Sequence, residues 1–195
     1  MAARQHDPDA LEAFGRRHVC YEVWSTANGA ARWHLSRSIL SAAASAQLAQ
    51  AQLVHLRALD DFLSRTPTHQ ADVAAVHYLD TWTAPGSYLG EHRDWINSQL
   101  AHLSIKRQPT PLWNPLRLTN QVLAGFGDFL EDVHAERGSV APFEAAESVI
   151  EGFCEWFDVL NAEHLDEAAV NLARSTEIDR SEFEFTWSYS ETIGS

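Results

Sequence analysis

Apolar residues recur every three or four positions along most of the chain, which is the spacing of one face of an α-helix. The longest such segment runs from about residue 30 to 65, with spacings that alternate between four and three, as in the seam of a helical bundle. Its members are Leu35, Ile39, Ala42, Ala46, Ala49, Leu53, Leu56, Asp60 and Leu63. Thr66-Pro67-Thr68 ends the predicted helix. Asp60 either has a partner in the core or marks the point where the helix leaves it.

A helix is also predicted at the start of the chain. Asp7-Pro8-Asp9 places a proline in its first turn and acids near its positive end, and Asn28-Gly29 is the expected stop. The apolar face consists of Leu11, Phe14, His18, Tyr21 and either Trp24 or Val23.

Two more helices are expected in the second half of the chain. The first opens at Asn114-Pro115 and stops at Gly138, although Gly125 and Gly127 weaken the pattern in its middle. Its apolar face consists of Leu116, Thr119, Leu123, Phe126 (or Gly127) and Leu130. The second starts near Pro142, with the stripe Phe143, Ala146, Ile150, Phe153 and Phe157. Its opposite face is acidic, as is typical of a solvated helix, with Glu144, Glu147, Glu151, Glu155 and Asp158.

Between the two halves, residues 68–89 are irregular and residues 90–107 form a central helix that Pro109 and Pro111 close. The predicted fold is therefore all-α: an antiparallel bundle of four to six helices over residues 1–160. Residues 161–195 form an acidic, aromatic-containing C-terminal appendage. Residues 161–175 favour a short helix, and residues 183–189 alternate aromatic and polar side chains as a strand would. We expect that last stretch to lie across the body, to pair with another chain, or to be a disordered recognition segment.

The net charge of −13 is unevenly distributed. Residues 1–139 hold 14 acidic and 12 basic side chains, whereas residues 140–195 hold 13 acidic and 2 basic ones. The acidic total argues against non-specific binding to nucleic acid or to an anionic membrane. No membrane span, signal peptide, cofactor motif or metal-ligand spacing is evident, and Cys20 and Cys154 are expected to be reduced thiols. We expect a cytoplasmic protein.

The candidate chemistry lies on the central helix, where Asn97 is followed five positions later by His102. His102 falls at the edge of the apolar surface of this helix. A partly buried imidazole is suited to proton transfer near neutral pH, and it is equally suited to a structural hydrogen bond.

The stretch Ile-Asn-Ser-Gln-Leu-Ala-His at 96–102 resembles the Arg-Asn-x-x-x-Ala-His signature of HEPN-domain proteins, particularly the abortive-infection type. That resemblance implies a small helical bundle, often dimeric, from toxin–antitoxin or phage-defence systems, in which many members are metal-independent ribonucleases. His102 matches the family histidine and Asn97 the residue after the arginine, but Ile96 stands where the arginine belongs. Arg93 lies about half a turn round the helix from His102, so it cannot serve the same site within one chain.

Losing the arginine removes the cation that would stabilise a developing phosphate charge. Arg57, Lys106 or Arg107 could replace it only if the bundle or a dimer brought one of them close. The resemblance therefore implies a degenerate, non-catalytic homodimer that acts by interaction. The acidic charge and the aromatic residues of 161–195 indicate that this segment either binds a basic protein partner or lies over the arginine-bearing face of the protein itself, as a mimic of nucleic acid.

Two alternatives stay open. One is an endoribonuclease that uses His102. The other is a small-molecule-binding or metal-dependent bundle enzyme that uses Glu131 and His134, since Glu-x-x-His occurs in di-iron bundles.

Overall fold

A computed structural model describes residues 6–36, 39–69, 71–83, 86–90, 92–100 and 114–161. The described part is helical, which confirms the all-α prediction. Its α-helices are α1 (Pro8–Phe14), α2 (Cys20–Ser36), α3 (Ala42–Ser64), α4 (His92–Leu100), α5 (Pro115–Arg137) and α6 (Glu144–Asn161). A π-helical turn, Gly15–Val19, joins α1 to α2, and a 3₁₀ turn, Ala75–His77, lies in the irregular segment before α4. Apart from Asn161, the last residue of α6, the segments predicted at 161–175 and 183–189 lie outside the described residues.

The π-helical turn changes which residues of the first helical segment face the core. A π turn adds one residue to the repeat, so the apolar face that begins at Leu11 and Phe14 continues at Val19 and Val23. The predicted continuation through His18 was wrong, since that side chain is exposed. A uniform period of 3.6 residues could not reveal this shift.

The expected helix end at Asn28-Gly29 was also wrong, because α2 continues to Ser36. Asn28 is buried and its side-chain amide donates to the carbonyl of Trp24, 3.1 Å away. Gly29 faces the side chain of Gln52 on α3, where a β-carbon would lie 3.2 Å from Gln52 Cγ. The two residues that resemble a stop signal are therefore contacts within the bundle.

The helix α3 is shorter than the predicted segment at its start. It begins after Ser41, whose hydroxyl accepts from the N–H of Ala44 at 3.2 Å, and it ends as expected just before Thr66-Pro67. From Ala49 onward the predicted seam is buried, Asp60 included, but Leu35 and Ile39 are exposed because they lie at the end of α2 and in the turn that follows.

Both predicted bounds of α5 were accurate, and α6 starts at Glu144, close to the predicted Pro142. Asn114 caps α5 by accepting from the N–H of Leu116 at 3.0 Å, and Gly138 ends it with a positive φ of 71°. On α6 the predicted apolar stripe packs into or against the core, while the acids opposite are exposed, apart from the half-buried Glu147.

Contacts between helices define their directions. Glu22 and Gly29 of α2 meet His55 and Gln52 of α3, so these two helices are antiparallel, as expected of neighbours with a short connection. Helices α3 and α5 instead run parallel. Gln52 donates to Thr119, and Phe62, further along α3, packs on Phe126 and Phe129, further along α5.

The α2 and α6 helices also run parallel: Cys20 contacts the carbonyl of Pro142, just before α6, and His34 packs on Trp156. The long segment 65–114 is what makes this arrangement possible, because it carries the chain back from the end of α3 to the start of α5. Two antiparallel hairpins, α2–α3 and α5–α6, therefore pack side by side.

An aromatic cluster fills the end of the bundle where α3 and α5 finish and α6 begins. Phe62, Phe126, Phe129 and Phe143 contact one another there, and Tyr78 and Trp82 from the irregular segment pack against them. Several large rings are therefore buried together here, mostly in edge-to-face contacts, which stabilise the core. None of the helices in the described part of the chain is both long and apolar enough to cross a membrane.

Candidate functional site

The helix α4, which carries the first half of the HEPN-like motif, is fixed to α3 by one buried residue and one ion-pair cluster. Ile96 has no exposed surface and belongs to the main core. Three positions earlier, Arg93 reaches the carboxylates near the end of α3. Residues three positions apart lie on the same face of a helix, so both contacts fix this face of α4.

We call the second contact the Asp60–Arg93 clasp; it consists of Asp60, Asp61, Ser64, Ser87 and Arg93. Asp60 is fully buried, and Arg93 donates to it at 2.6 Å and to Ser64 Oγ at 2.9 Å. Arg93 also pairs with Asp61. The hydroxyl of Ser87 donates to Asp60 at 2.9 Å. The partner that the sequence required for a buried carboxylate is thus Arg93, 33 residues along the chain.

Backbone groups complete the surroundings of Asp60. The N–H groups of Tyr88 and Leu89 donate to its Oδ1 at 2.7 and 3.3 Å. Burial raises the pKa of Asp60 above its usual range, while Ser87, Arg93 and these two N–H groups act to lower it. The carboxylate therefore holds the turn before α4 and the first turn of α4 against α3, which is a structural task.

The two described positions of the motif, Ile96 and Asn97, differ in burial. Ile96, at the position of the family's arginine, points into the core. Asn97 is half-buried, and its Oδ1 is buried without a hydrogen-bond partner among the described residues. His102, Lys106 and Arg107 lie outside the described residues.

Arg93, which lies close to the motif in sequence, and Arg57, a candidate to replace the motif's cation, are both engaged by carboxylates. Arg93 is held by Asp60 and Asp61, and Arg57 Nε lies 3.7 Å from Asp61 Oδ2. Arg65 approaches the same oxygen at 3.9 Å from a more exposed position. The sequence analysis did not identify Asp61, although three arginines lie close to its carboxylate. Asp61 falls outside the apolar seam of α3, so nothing in the sequence distinguished it from an ordinary surface residue.

The residues of the metal-enzyme alternative lie elsewhere, in a groove between α5 and α6. Glu131 and His134 line it from α5, and Glu147, Glu151 and Cys154 line it from α6. Among the described residues, no three histidine, cysteine or carboxylate side chains are grouped closely enough to hold a metal ion.

A second cleft, of about 530 Å³, lies between the start of the chain and the irregular segment. His6 Nε2 lies 3.2 Å from the carbonyl of Asp72, and the ring of His6 meets that of His77 edge-on at 4.5 Å. The Tyr78 hydroxyl donates to the carbonyl of Leu11 at 2.7 Å, and burial raises its pKa above the usual range. These contacts attach α1 to the aromatic end of the bundle.

Both thiols are free. Cys20 is buried, which raises its pKa to about 11. Cys154 is half-buried on the wall of the α5–α6 groove, and burial followed by the charge of Asp158 raises its pKa as well. Neither environment favours the thiolate, so neither cysteine is placed as a nucleophile.

No family model matches the chain, and comparisons with curated proteins and with solved structures likewise found no match.

Proposed function

We propose that this chain is a degenerate HEPN-like protein that acts by binding rather than by cleaving RNA. In this proposal it is a cytoplasmic homodimer in a bacterial defence or toxin–antitoxin-type system, and residues 161–195 contribute to binding a protein partner. The proposal is supported by the helical bundle and by the Asn97/His102 pattern that follows Ile96.

The burial of Ile96 is the main observation that supports a non-catalytic role. A ribonuclease of this type needs a cation at the scissile phosphate, and position 96 provides an alkyl group packed in the core instead. Arg93 and Arg57 are paired with the carboxylates of Asp60 and Asp61. Detaching Arg93 would leave Asp60 buried without its cation, which is costly.

RNA cleavage in the presence of EDTA tests this proposal. We expect wild type, His102→Ala and a chain lacking residues 161–195 to show the same background cleavage, because Arg93 and Arg57 are both engaged by carboxylates. His134→Ala, which removes an exposed histidine from α5, is the matched control.

EDTA-resistant cleavage that is lost in His102→Ala and kept in His134→Ala would contradict the proposal. It would establish the ribonuclease alternative and direct attention to Lys106 and Arg107 as sources of the cation.

A further inference from the structure

The surface formed by α5 and α6 contains a groove of about 540 Å³ that the HEPN-like motif does not use. Its floor is apolar and includes the buried side chains of Leu130 from α5 and Ile150 from α6. Its rims carry Glu131 from α5 and Glu147 and Glu151 from α6. The combination of an apolar floor and two acidic rims distinguishes this groove from an ordinary solvated helix face.

The charge of the rims is not compensated within the described part of the chain. The described ion pairs involve other carboxylates, and Glu131, Glu147 and Glu151 take part in none of them. The α6 sequence contains no lysine or arginine. Arg137, at the end of α5, donates instead to the carbonyl of Tyr78. The carboxylates of the two rims therefore make the mouth of this apolar groove negative.

The dimensions of the groove suit a helix. On α5 its lining runs from Gly127 to Ala135, a little over two turns or about 12 Å at 1.5 Å per residue. Gly127 has no side chain, and no atom lies within 4 Å of where its β-carbon would be, so the groove stays open at that end. A helix laid in such a groove places apolar residues at i, i+3 and i+4 on the floor, and its flanking residues reach the rims.

We propose that the α5–α6 groove binds a basic amphipathic helix of a partner protein, with apolar side chains on Leu130 and Ile150 and lysine or arginine side chains on Glu131, Glu147 and Glu151. This inference rests on the proposed function and deepens it. It identifies the surface through which the protein would bind a partner, and it describes that partner as a basic amphipathic helix. The acidic segment 161–195 carries the same sign of charge as the rims and is a poor occupant for them.

The test uses the full chain and a fluorescent 18-residue peptide of leucine and lysine arranged for an amphipathic helix. Two control peptides are used. One has the same composition in shuffled order and tests whether the amphipathic pattern matters, and the other has glutamate in place of lysine and tests whether the charge matters. We expect binding of the first peptide, weaker binding of the shuffled one and none of the acidic one.

Two variants with the same change in charge locate the binding. Glu131→Gln/Glu151→Gln removes carboxylates from both rims, and Asp132→Asn/Glu155→Gln removes exposed ones that do not line the groove. We expect the first pair to weaken binding about tenfold and the second less than about threefold, because charge attraction falls off with distance in salt. Thermal unfolding checks that both variants fold.

Alkylation of Cys154 provides an independent readout. The chain has two cysteines, and Cys20 is only 1% exposed, so slow alkylation at mildly alkaline pH reports mainly on the groove wall. We expect the amphipathic peptide to slow this reaction and the acidic peptide to leave it unchanged.

Three results would overturn the inference. If both double variants weakened peptide binding equally, the peptide would be attracted by the overall acidic charge of the protein and not by the groove. Unchanged alkylation in the presence of bound peptide would place the peptide elsewhere. Cys154 that is already protected in the free chain, and exposed only after deletion of residues 161–195, would mean that the chain covers its own groove. The RNA-cleavage assay is separate from all three, so failure here and failure of the proposed function are distinguishable.

Discussion

Gly125 and Gly127 lie two positions apart on α5, and the structure gives them different roles. A β-carbon at position 125 would lie 2.1 Å from Tyr88 Cε1, whereas one at position 127 would have no neighbour within 4 Å. Gly125 therefore allows the segment before α4 to approach the α5 backbone, and Gly127 is a glycine in an open helical position.

This difference predicts opposite effects of the same substitution. Gly125→Ala should lower the free energy of unfolding by about 1–3 kcal/mol, because the Tyr88 ring has to move out of its packed position. Gly127→Ala should raise it by about 0.5–1 kcal/mol through helix propensity alone. Urea unfolding of the two variants beside wild type measures both effects, and a stabilising Gly125→Ala would disprove the close packing of Tyr88.

Sequence reasoning succeeded where the cause of a feature is local. Asp7, Asn114 and Gly138 were recognised as helix boundaries because caps act within one turn. It failed at Asn28-Gly29, where the deciding contact is with Gln52 on another helix. The glycines of α5 could not be interpreted either, since nothing near them in sequence indicates that Tyr88 packs there.

Helix α4 depends on α3 for its placement. The Asp60–Arg93 clasp and the buried Ile96 are what hold it. The need for a partner at Asp60 was evident from the seam of α3, but the identity of that partner was not, because the 33 intervening residues include an irregular segment of no recognisable pattern.

Breaking the clasp should loosen α4. Arg93→Met leaves Asp60 buried without its cation and should destabilise the fold by about 3 kcal/mol. The matched control is Arg65→Met, which removes a more exposed arginine near Asp61 and should cost less than about 1 kcal/mol.

Adding Asp60→Asn to Arg93→Met should recover part of the loss, because the uncompensated charge is removed. Equilibrium unfolding of the single and double variants measures the coupling. Equal effects of Arg93→Met and Arg65→Met would show that the clasp does not hold α4.

The attachment of α1 to the irregular segment should respond to pH. Burial and then the nearby His6 lower the pKa of His77, with Asp72 acting in the opposite direction. The folded protein therefore takes up a proton at His77 less readily than the unfolded chain, so its stability should decrease as the pH falls below about 6.5.

The variant that tests this is His77→Asn, whose side-chain oxygen can still accept from the N–H of Ala74 as Nδ1 does at 3.0 Å. Between pH 7 and 5 it should lose less stability than wild type, and His134→Asn, at an exposed position, should follow wild type. A His77→Asn profile parallel to that of wild type would show that this contact does not sense pH.

At the scale of the whole molecule, the long segment between α3 and α5 sets the architecture. It makes α3 parallel to α5 and α2 parallel to α6, and it carries α4 on the outside of α3. The sequence predicted a bundle because helical periodicity is visible in one dimension. It predicted only antiparallel neighbours, because helix order and direction across a long connection depend on contacts between residues far apart.

The same limit applies to the two candidate sites. The Asn97/His102 pattern was visible as a spacing on one helix, whereas the α5–α6 groove needs two helices side by side. The sequence pattern predicts a solvated face for the acidic residues of α6. That prediction holds for Glu144, Glu155 and Asp158, which are exposed and do not line the groove.

The central claim is that Ile96, at the position that aligns with the arginine of the HEPN signature, belongs to the core and not to a phosphate-binding site. The most direct measurement introduces that arginine with Ile96→Arg and follows both unfolding and EDTA-resistant RNA cleavage, with Asp94→Arg, at an exposed position of the same helix, as the control.

We expect Ile96→Arg to lose about 3–5 kcal/mol of stability, because an unpaired guanidinium would be buried, and to cleave RNA no better than wild type. Asp94→Arg should unfold close to wild type. An Ile96→Arg protein that is as stable as wild type and cleaves RNA in a manner that depends on His102 would contradict the claim.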